Sequence, residues 1–113
     1  MARPTTKRTR IEASSGNVFA DLGLPDAAEL DTKVRLAVEI NRLIGVQRLN
    51  QAAAAERLGV NQPKISALKN YRLDGISVER LMSFLLALGQ NVEIRITPRR
   101  TPRSPGKIVV QTT

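Results

Sequence analysis

Side chains suited to reading a nucleic-acid base lie close together between residues 62 and 67. A glutamine amide can bond N6 and N7 of adenine together, a lysine ammonium favours O6 and N7 of guanine, and an alanine methyl can touch the thymine methyl. The residues with this chemistry are Gln62, Lys64, Ser66 and Ala67. At the start of an exposed helix they would reach base edges in the major groove of DNA.

Three further residues are candidates for contacts to DNA phosphates. Gln51 would open an earlier helix, where its amide and the helix dipole together favour an anion. Lys69 and Arg72 follow the base-reading candidates and would meet the backbone rather than the bases. Each of these side chains alone could equally be an ordinary solvated residue, so the interpretation depends on the elements that position them.

The spacing QAAAAERLGVNQPKISAL predicts a helix-turn-helix unit. Ala55 falls where two helices must touch, and Gly59 falls where the first of them must end. The apolar residues expected to hold the second helix against the first are Val60, Ile65 and Leu68. The spacing is direct evidence for packing and indirect evidence for DNA contact, because compact helix pairs of this kind mostly present a recognition helix to the major groove.

Capping residues and apolar periodicity predict four helices. A long apolar stripe begins at Pro25 and ends near Gly45. Asn50 is a good N-cap for a helix over 51–58, and Asn61 for one over 62 to about 70. Ser77 caps the segment VERLMSFLLAL, which a glycine at position 89 should stop.

The segment NVEIRIT alternates strictly between apolar and polar residues, which is the period of a strand. One strand cannot stand alone, because its backbone groups must pair. The partner could be the same strand of a second chain, or the chain's own KIVVQ at 107–111. We expect the dimer, because helix-turn-helix proteins usually bind as two-fold pairs. The predicted fold is therefore an all-α compact helical bundle with one C-terminal β-strand that pairs across a dimer.

Composition excludes several classes of function. The 113 residues include neither Cys nor His, which removes thiolate and imidazole metal sites, disulfides and Ser-His or Cys-His nucleophile pairs. No Gly-rich phosphate loop appears, and the acidic residues near position 26 lie at a helix start, where they offset the dipole. We expect no enzyme activity, no cofactor and no metal. No apolar run approaches the roughly 18 residues that span a bilayer.

The net charge of +8 lies mostly in the two ends of the chain. Residues 1–12 carry +3, residues 98–113 carry +4, and the centre carries +1. Basic tails beside a DNA-reading domain suggest phosphate contacts that add affinity without sequence information, although solvated tails would look the same. We predict a flexible basic segment at 1–24, the helix-turn-helix domain with its strand at 25–97, and a basic Pro-rich tail at 98–113.

The segment from Asn50 to about Leu88 resembles the XRE (Cro/C1-type, lambda-repressor-like) helix-turn-helix family, in NQAAAAERLGVNQPKISALKN and in the later LDGISVERLMSFLLALG. With SSGNVFADLGLPDA before it and NVEIRITP after it, the chain is similar to HigA-type antitoxins over roughly 11–98. The extension PRRTPRSPGKIVVQTT departs from that pattern.

This resemblance implies a homodimer that binds double-stranded operator DNA, represses its own promoter and neutralises a RelE/HigB-like mRNA-cleaving toxin through about residues 1–24. The alternative is a stand-alone XRE regulator without a toxin. A third possibility is a protein-interaction module that kept the scaffold without binding DNA. A cytoplasmic, nucleoid-associated location with no membrane partner would follow.

Overall fold

The structure is a computed structural model that describes residues 25–113. The chain divides into two units after Thr32, and the contacts given below are those of residues 33–113. In the described range all regular structure is helical, which confirms the all-α part of the prediction. The helices are α1 (Pro25–Val46), α2 (Gln51–Leu58), α3 (Gln62–Lys69) and α4 (Val78–Ala87). The predicted N-terminal segment at 1–24 lies outside the described residues.

Three of the helices begin at the predicted caps. Asn50, Asn61 and Ser77 each accept, through a side-chain oxygen, a hydrogen bond from the backbone N–H three residues later, at 2.8, 3.0 and 3.0 Å. These bonds satisfy N–H groups that have no partner inside the helix. Pro63 falls in the first turn of α3, where its missing N–H removes no helical bond.

All four helices end in the same turn, in which one residue has a left-handed backbone. The N–H of this residue donates to the carbonyl of the residue three positions before it. The N–H of the following residue donates to the carbonyl five positions before itself, and all these bonds measure 2.8 to 3.2 Å. The left-handed residues are Arg48, Gly59, Tyr71 and Gly89, with φ of 55°, 71°, 58° and 88°. Gly59 and Gly89 end α2 and α4, as the sequence predicts. After α1 and α3 the left-handed position is occupied by Arg48 and Tyr71, which carry a Cβ.

The core lies between the helix-turn-helix pair, α4 and the second half of α1, which contributes Leu36, Ala37, Ile40 and Leu43. Ala55, Ile65 and Leu68 are buried, as the spacing predicts, and Val60 packs against the cluster from its edge. Helix α2 packs against α3 and, less extensively, against α4. From α4, Leu81, Phe84, Leu85 and Leu88 are buried in the same cluster.

Two side-chain amides on α1 and in the turn after it fix the other helices. Asn41 Nδ2 donates to the carbonyl of Leu68, in the last turn of α3, at 3.0 Å. Gln47 Nε2 donates to the carbonyl of Leu88 at 2.8 Å, and Gln47 Oε1 accepts from Arg57 at 3.1 Å. The first bond ties the end of the predicted reading helix to α1, and the other two tie α2 to the end of α4.

The predicted C-terminal strand is not formed in the single chain. Residues 90–99 have no regular secondary structure, and the described residues show no backbone hydrogen bond between this segment and 107–111. Val92 and Val110 pack against the core, but Ile94 and Ile96 are 75% and 91% exposed. The physical reason is that a strand forms only where another backbone pairs with it, and no backbone within residues 25–113 hydrogen-bonds to this segment.

The connection between these segments is a hydrogen-bonded turn over residues 101–104. Ser104 N–H donates to the carbonyl of Thr101 at 3.2 Å, and the two hydroxyls lie 2.8 Å apart. Pro102 occupies the position after Thr101, where its fixed φ suits such a turn. Arg99 also donates to the carbonyl of Ser104 at 3.2 Å. The Pro- and Arg-rich stretch that departs from the family pattern therefore has local structure of its own.

Candidate nucleic-acid interface

Helix α3 presents a polar outward face. Ile65 and Leu68 are buried on one side of it. With 3.6 residues per turn, Ser66 and Ala67 lie on the outward side, and Gln62 lies at its edge, one turn before Ser66. Gln62 is exposed and the other two are half-buried. The structure thus brings together three of the four predicted base-contact residues on the surface that a groove would meet.

Lys64 lies apart from that group, at the edge of a shallow cleft beside the start of α4. The cleft is lined by Lys64, Gly75, Ile76, Ser77 and Arg80. Arg80 extends over the ring of Phe84, with its guanidinium carbon 5.5 Å from the ring centroid. Two cations at one opening suit a phosphate group as well as a base edge. Arg80 is therefore a candidate contact that the spacing of the motif did not single out.

The residues predicted to contact phosphates are all on the surface. Gln51 is exposed at the first position of α2. Lys69 and Arg72 are exposed at and beyond the end of α3. These positions border both helices of the helix-turn-helix pair, as a backbone contact requires.

The cations of this surface have no acidic partner within residues 25–113. Among the described residues, Arg42 and Glu39 of α1 form an ion pair, in which Arg42 Nε donates to Glu39 Oε1 at 2.9 Å. That hydrogen bond lowers the pKa of the Glu39 carboxyl and raises the pKa of Arg42. In contrast, Lys69, Arg72 and Arg80 are exposed and Lys64 is half-buried, and none of the four pairs with a carboxylate of the described residues. Their charge is available for phosphates, whose counterions would be released on binding.

Tyr71 is a second residue that sequence reasoning missed. Its φ of 58° is costly for a residue with a Cβ, and its side chain remains 43% exposed directly after α3. Arg48 has the same conformation after α1, so the backbone marks the helix end, and the exposed ring beside Lys69 and Arg72 is what makes Tyr71 a candidate contact. The sequence does contain a signal for it: in NYRLDG, the position just after the helix is a tyrosine, whereas α2 and α4 have a glycine there. We expect Tyr71 to contact the DNA backbone.

Changing Tyr71 to glycine should raise stability and weaken DNA binding together. Removing the Cβ relieves the left-handed strain, which should add up to about 1 kcal/mol to the free energy of unfolding. Urea unfolding measures that gain, and fluorescence anisotropy of labelled DNA measures the affinity. Arg48→Gly is the matched control for stability, because Arg48 occupies the same turn at the end of α1. A variant that binds DNA as tightly as the parent would remove Tyr71 from the interface.

Two other kinds of site are missing from residues 25–113. No group of acidic residues there could hold a metal ion. None of the described helices is both long and apolar enough to cross a membrane.

An exposed helix that follows a tight turn and packs on the helix before it defines the helix-turn-helix class. The model of the helix-turn-helix domain family matches residues 18–97, and the chain belongs to that family. It is also similar, at 55% sequence identity and a TM-score of 0.75, to a solved structure named as an XRE family transcriptional regulator. The similarity covers 79% of this chain and 100% of the other. No curated protein matches the sequence.

Proposed function

We propose that the protein is a sequence-specific, DNA-binding transcriptional repressor of the XRE type that acts as a homodimer. The observation that carries this proposal is the outward face of α3, where Gln62, Ser66 and Ala67 lie together over a buried apolar side. Membership of the helix-turn-helix family supports it, as does a 55% identical relative named as a transcriptional regulator.

The interface divides into residues that read bases and residues that hold the backbone. Gln62, Ser66 and Ala67 would contact base edges, and Lys64 would reach either a guanine or a phosphate from the side of the helix. The backbone contacts would come from residues around this face on α2, α3 and α4 and in the turn after α3, namely Gln51, Lys69, Tyr71, Arg72 and Arg80. Backbone contacts fix the register of a protein on DNA, and base contacts select the sequence.

The test of this proposal is binding to the promoter of the protein's own gene. Anisotropy titrations at several salt concentrations should show binding to the promoter fragment at least about 1,000-fold tighter than to a shuffled fragment of the same composition. The affinity for both should fall steeply with salt. Equal affinity for the two fragments would exclude a sequence-specific repressor and would favour the protein-interaction module.

We further propose that the repressor is an antitoxin that regulates its own operon and neutralises a RelE/HigB-like mRNA-cleaving toxin. This proposal depends on the resemblance of SSGNVFADLGLPDA to HigA-type antitoxins, in residues that precede the described part of the chain. The alternative is a stand-alone XRE regulator. Both share the DNA chemistry of α3 and differ in whether the segment before α1 has a protein partner.

Co-expression separates these two functions. If a small basic protein is encoded beside this gene, the antitoxin hypothesis expects it to arrest growth alone and to copurify harmlessly with the full chain. The Gln62→Ala/Lys64→Ala variant is the matched control, because it should lose DNA binding and keep neutralisation. If the protein encoded beside this gene stays toxic in the presence of the full chain, or never copurifies with it, the antitoxin hypothesis is wrong. The stand-alone regulator is then the remaining hypothesis.

A further inference from the structure

The segment from Val92 to Ile96 carries the largest apolar exposure of the helix-turn-helix unit. Ile94 is 75% exposed and Ile96 is 91% exposed, although both are large aliphatic residues. Val92, two positions earlier, packs against the core. The side chains alternate, so the three lie on one face when the segment is extended. Val92 therefore holds the segment to its own chain while the two isoleucines extend beyond that chain's core.

We propose that this segment pairs with the same segment of a second copy, antiparallel and centred on Ile94. The inference rests on the proposed homodimer and adds its register. In this pairing Ile94 lies opposite the partner's Ile94, and Val92 lies opposite the partner's Ile96. Residues 91–97 make no backbone hydrogen bond within the described chain, so their N–H and C=O groups are available to a second strand. A symmetric pair of this kind is isologous, as a two-fold DNA reader requires.

Charge selects this register over its neighbours. With Ile94 at the centre, Glu93 of each chain lies opposite Arg95 of the other, which makes two unlike pairs on the face away from the isoleucines. A pairing centred on Glu93 sets two carboxylates against each other, and one centred on Arg95 sets two guanidinium groups against each other. Like charges directly opposite are destabilising. A pairing centred on Ile96 would place Pro98, which lacks an N–H, opposite Ile94.

The same register covers the apolar surface. Because Val92 packs on the core of its own chain, the Ile96 opposite it is carried onto the core of the partner. Ile96, the most exposed isoleucine of the described residues, thus becomes buried in the dimer. An isolated two-stranded ribbon is marginal in water, and contact with the two helical cores supplies the support it needs.

A single introduced cysteine tests the register, because the chain contains none. In the full-length protein, Ile94→Cys should form a disulfide-linked dimer under mild oxidation, since opposed Cβ atoms lie about 5 Å apart. Ile96→Cys is the matched control. Its two copies would be four residues apart along the ribbon, about 13 Å, which is beyond the reach of a disulfide. Equal crosslinking of the two variants, or none at 94, would overturn the proposal.

Charge exchange gives a second test that needs no DNA. Glu93→Arg and Arg95→Glu should each weaken the dimer about tenfold in sedimentation equilibrium, because each puts like charges opposite in two places. Mixed together they should form a heterodimer, and the double exchange in one chain should restore the parent affinity. A parent protein that sediments as a monomer would overturn the pairing. Residues 107–111 of the same chain would then be the remaining candidate partner for the segment. Promoter binding is measured separately, so the two proposals can fail independently.

Discussion

Replacing both Gln62 and Lys64 with alanine is expected to abolish discrimination between the operator and other DNA. Each lost base contact costs about 1–3 kcal/mol, so the loss of two in each of the two half-sites costs at least about 4 kcal/mol and lowers operator affinity at least about 700-fold. Affinity for shuffled DNA should change little, since it depends on phosphates. Anisotropy titrations against both fragments measure the ratio directly.

The control removes the same two residue types from the C-terminal segment. Lys107→Ala/Gln111→Ala deletes one amide and one positive charge at exposed positions. Any loss it causes should be small and equal for operator and shuffled DNA. If the α3 double variant keeps its preference for the operator, the bases are read by another surface and our assignment of the face is wrong.

Phe84→Ala is expected to have the largest effect on stability, about 3–5 kcal/mol. The ring is only 1% exposed at the centre of the core, and its removal leaves a cavity that α2 and α4 cannot close without losing their own contacts. A domain of this size has a total stability of about 5–15 kcal/mol, so the variant should be partly unfolded at 37 °C. Thermal unfolding followed by circular dichroism measures the loss.

Leu86→Ala supplies the comparison for that loss. Leu86 lies on the same helix two residues further on, but it is 56% exposed, so its truncation should change stability by less than about 0.5 kcal/mol. A similar loss in both variants would indicate that Leu86 is covered by a partner in solution. A small loss in Phe84→Ala would mean that the core tolerates a cavity there.

Local signals in the sequence predicted the helices and the motif well. Asn50, Asn61 and Ser77 have side chains that cap a helix without help from the rest of the fold, so their positions define three helix starts. Gly59 marks a turn for an equally local reason, because it lacks a Cβ. The burial of Ile65 and Leu68 follows from their spacing on one side of α3.

Features that depend on contacts between distant residues could not be predicted in the same way. Arg80 reaches the cleft beside Lys64 only because α4 starts next to α3, and no spacing in the sequence encodes that. The alternation in NVEIRIT predicts a strand, yet a strand exists only with a partner, and the part of the chain from residue 25 onward supplies none. The amide of Asn41 looks like any surface residue until Leu68 is seen to accept its hydrogen bond.

Tyr71 is the sole tyrosine of the chain, and there is no tryptophan. The intrinsic ultraviolet emission of the native protein therefore comes almost wholly from one ring, placed directly after α3 and open to solvent. A ligand that approaches this helix should change the emission, while events elsewhere in the molecule should leave it largely unaffected. The protein thus carries its own optical probe of the recognition helix, and binding can be followed on unlabelled material.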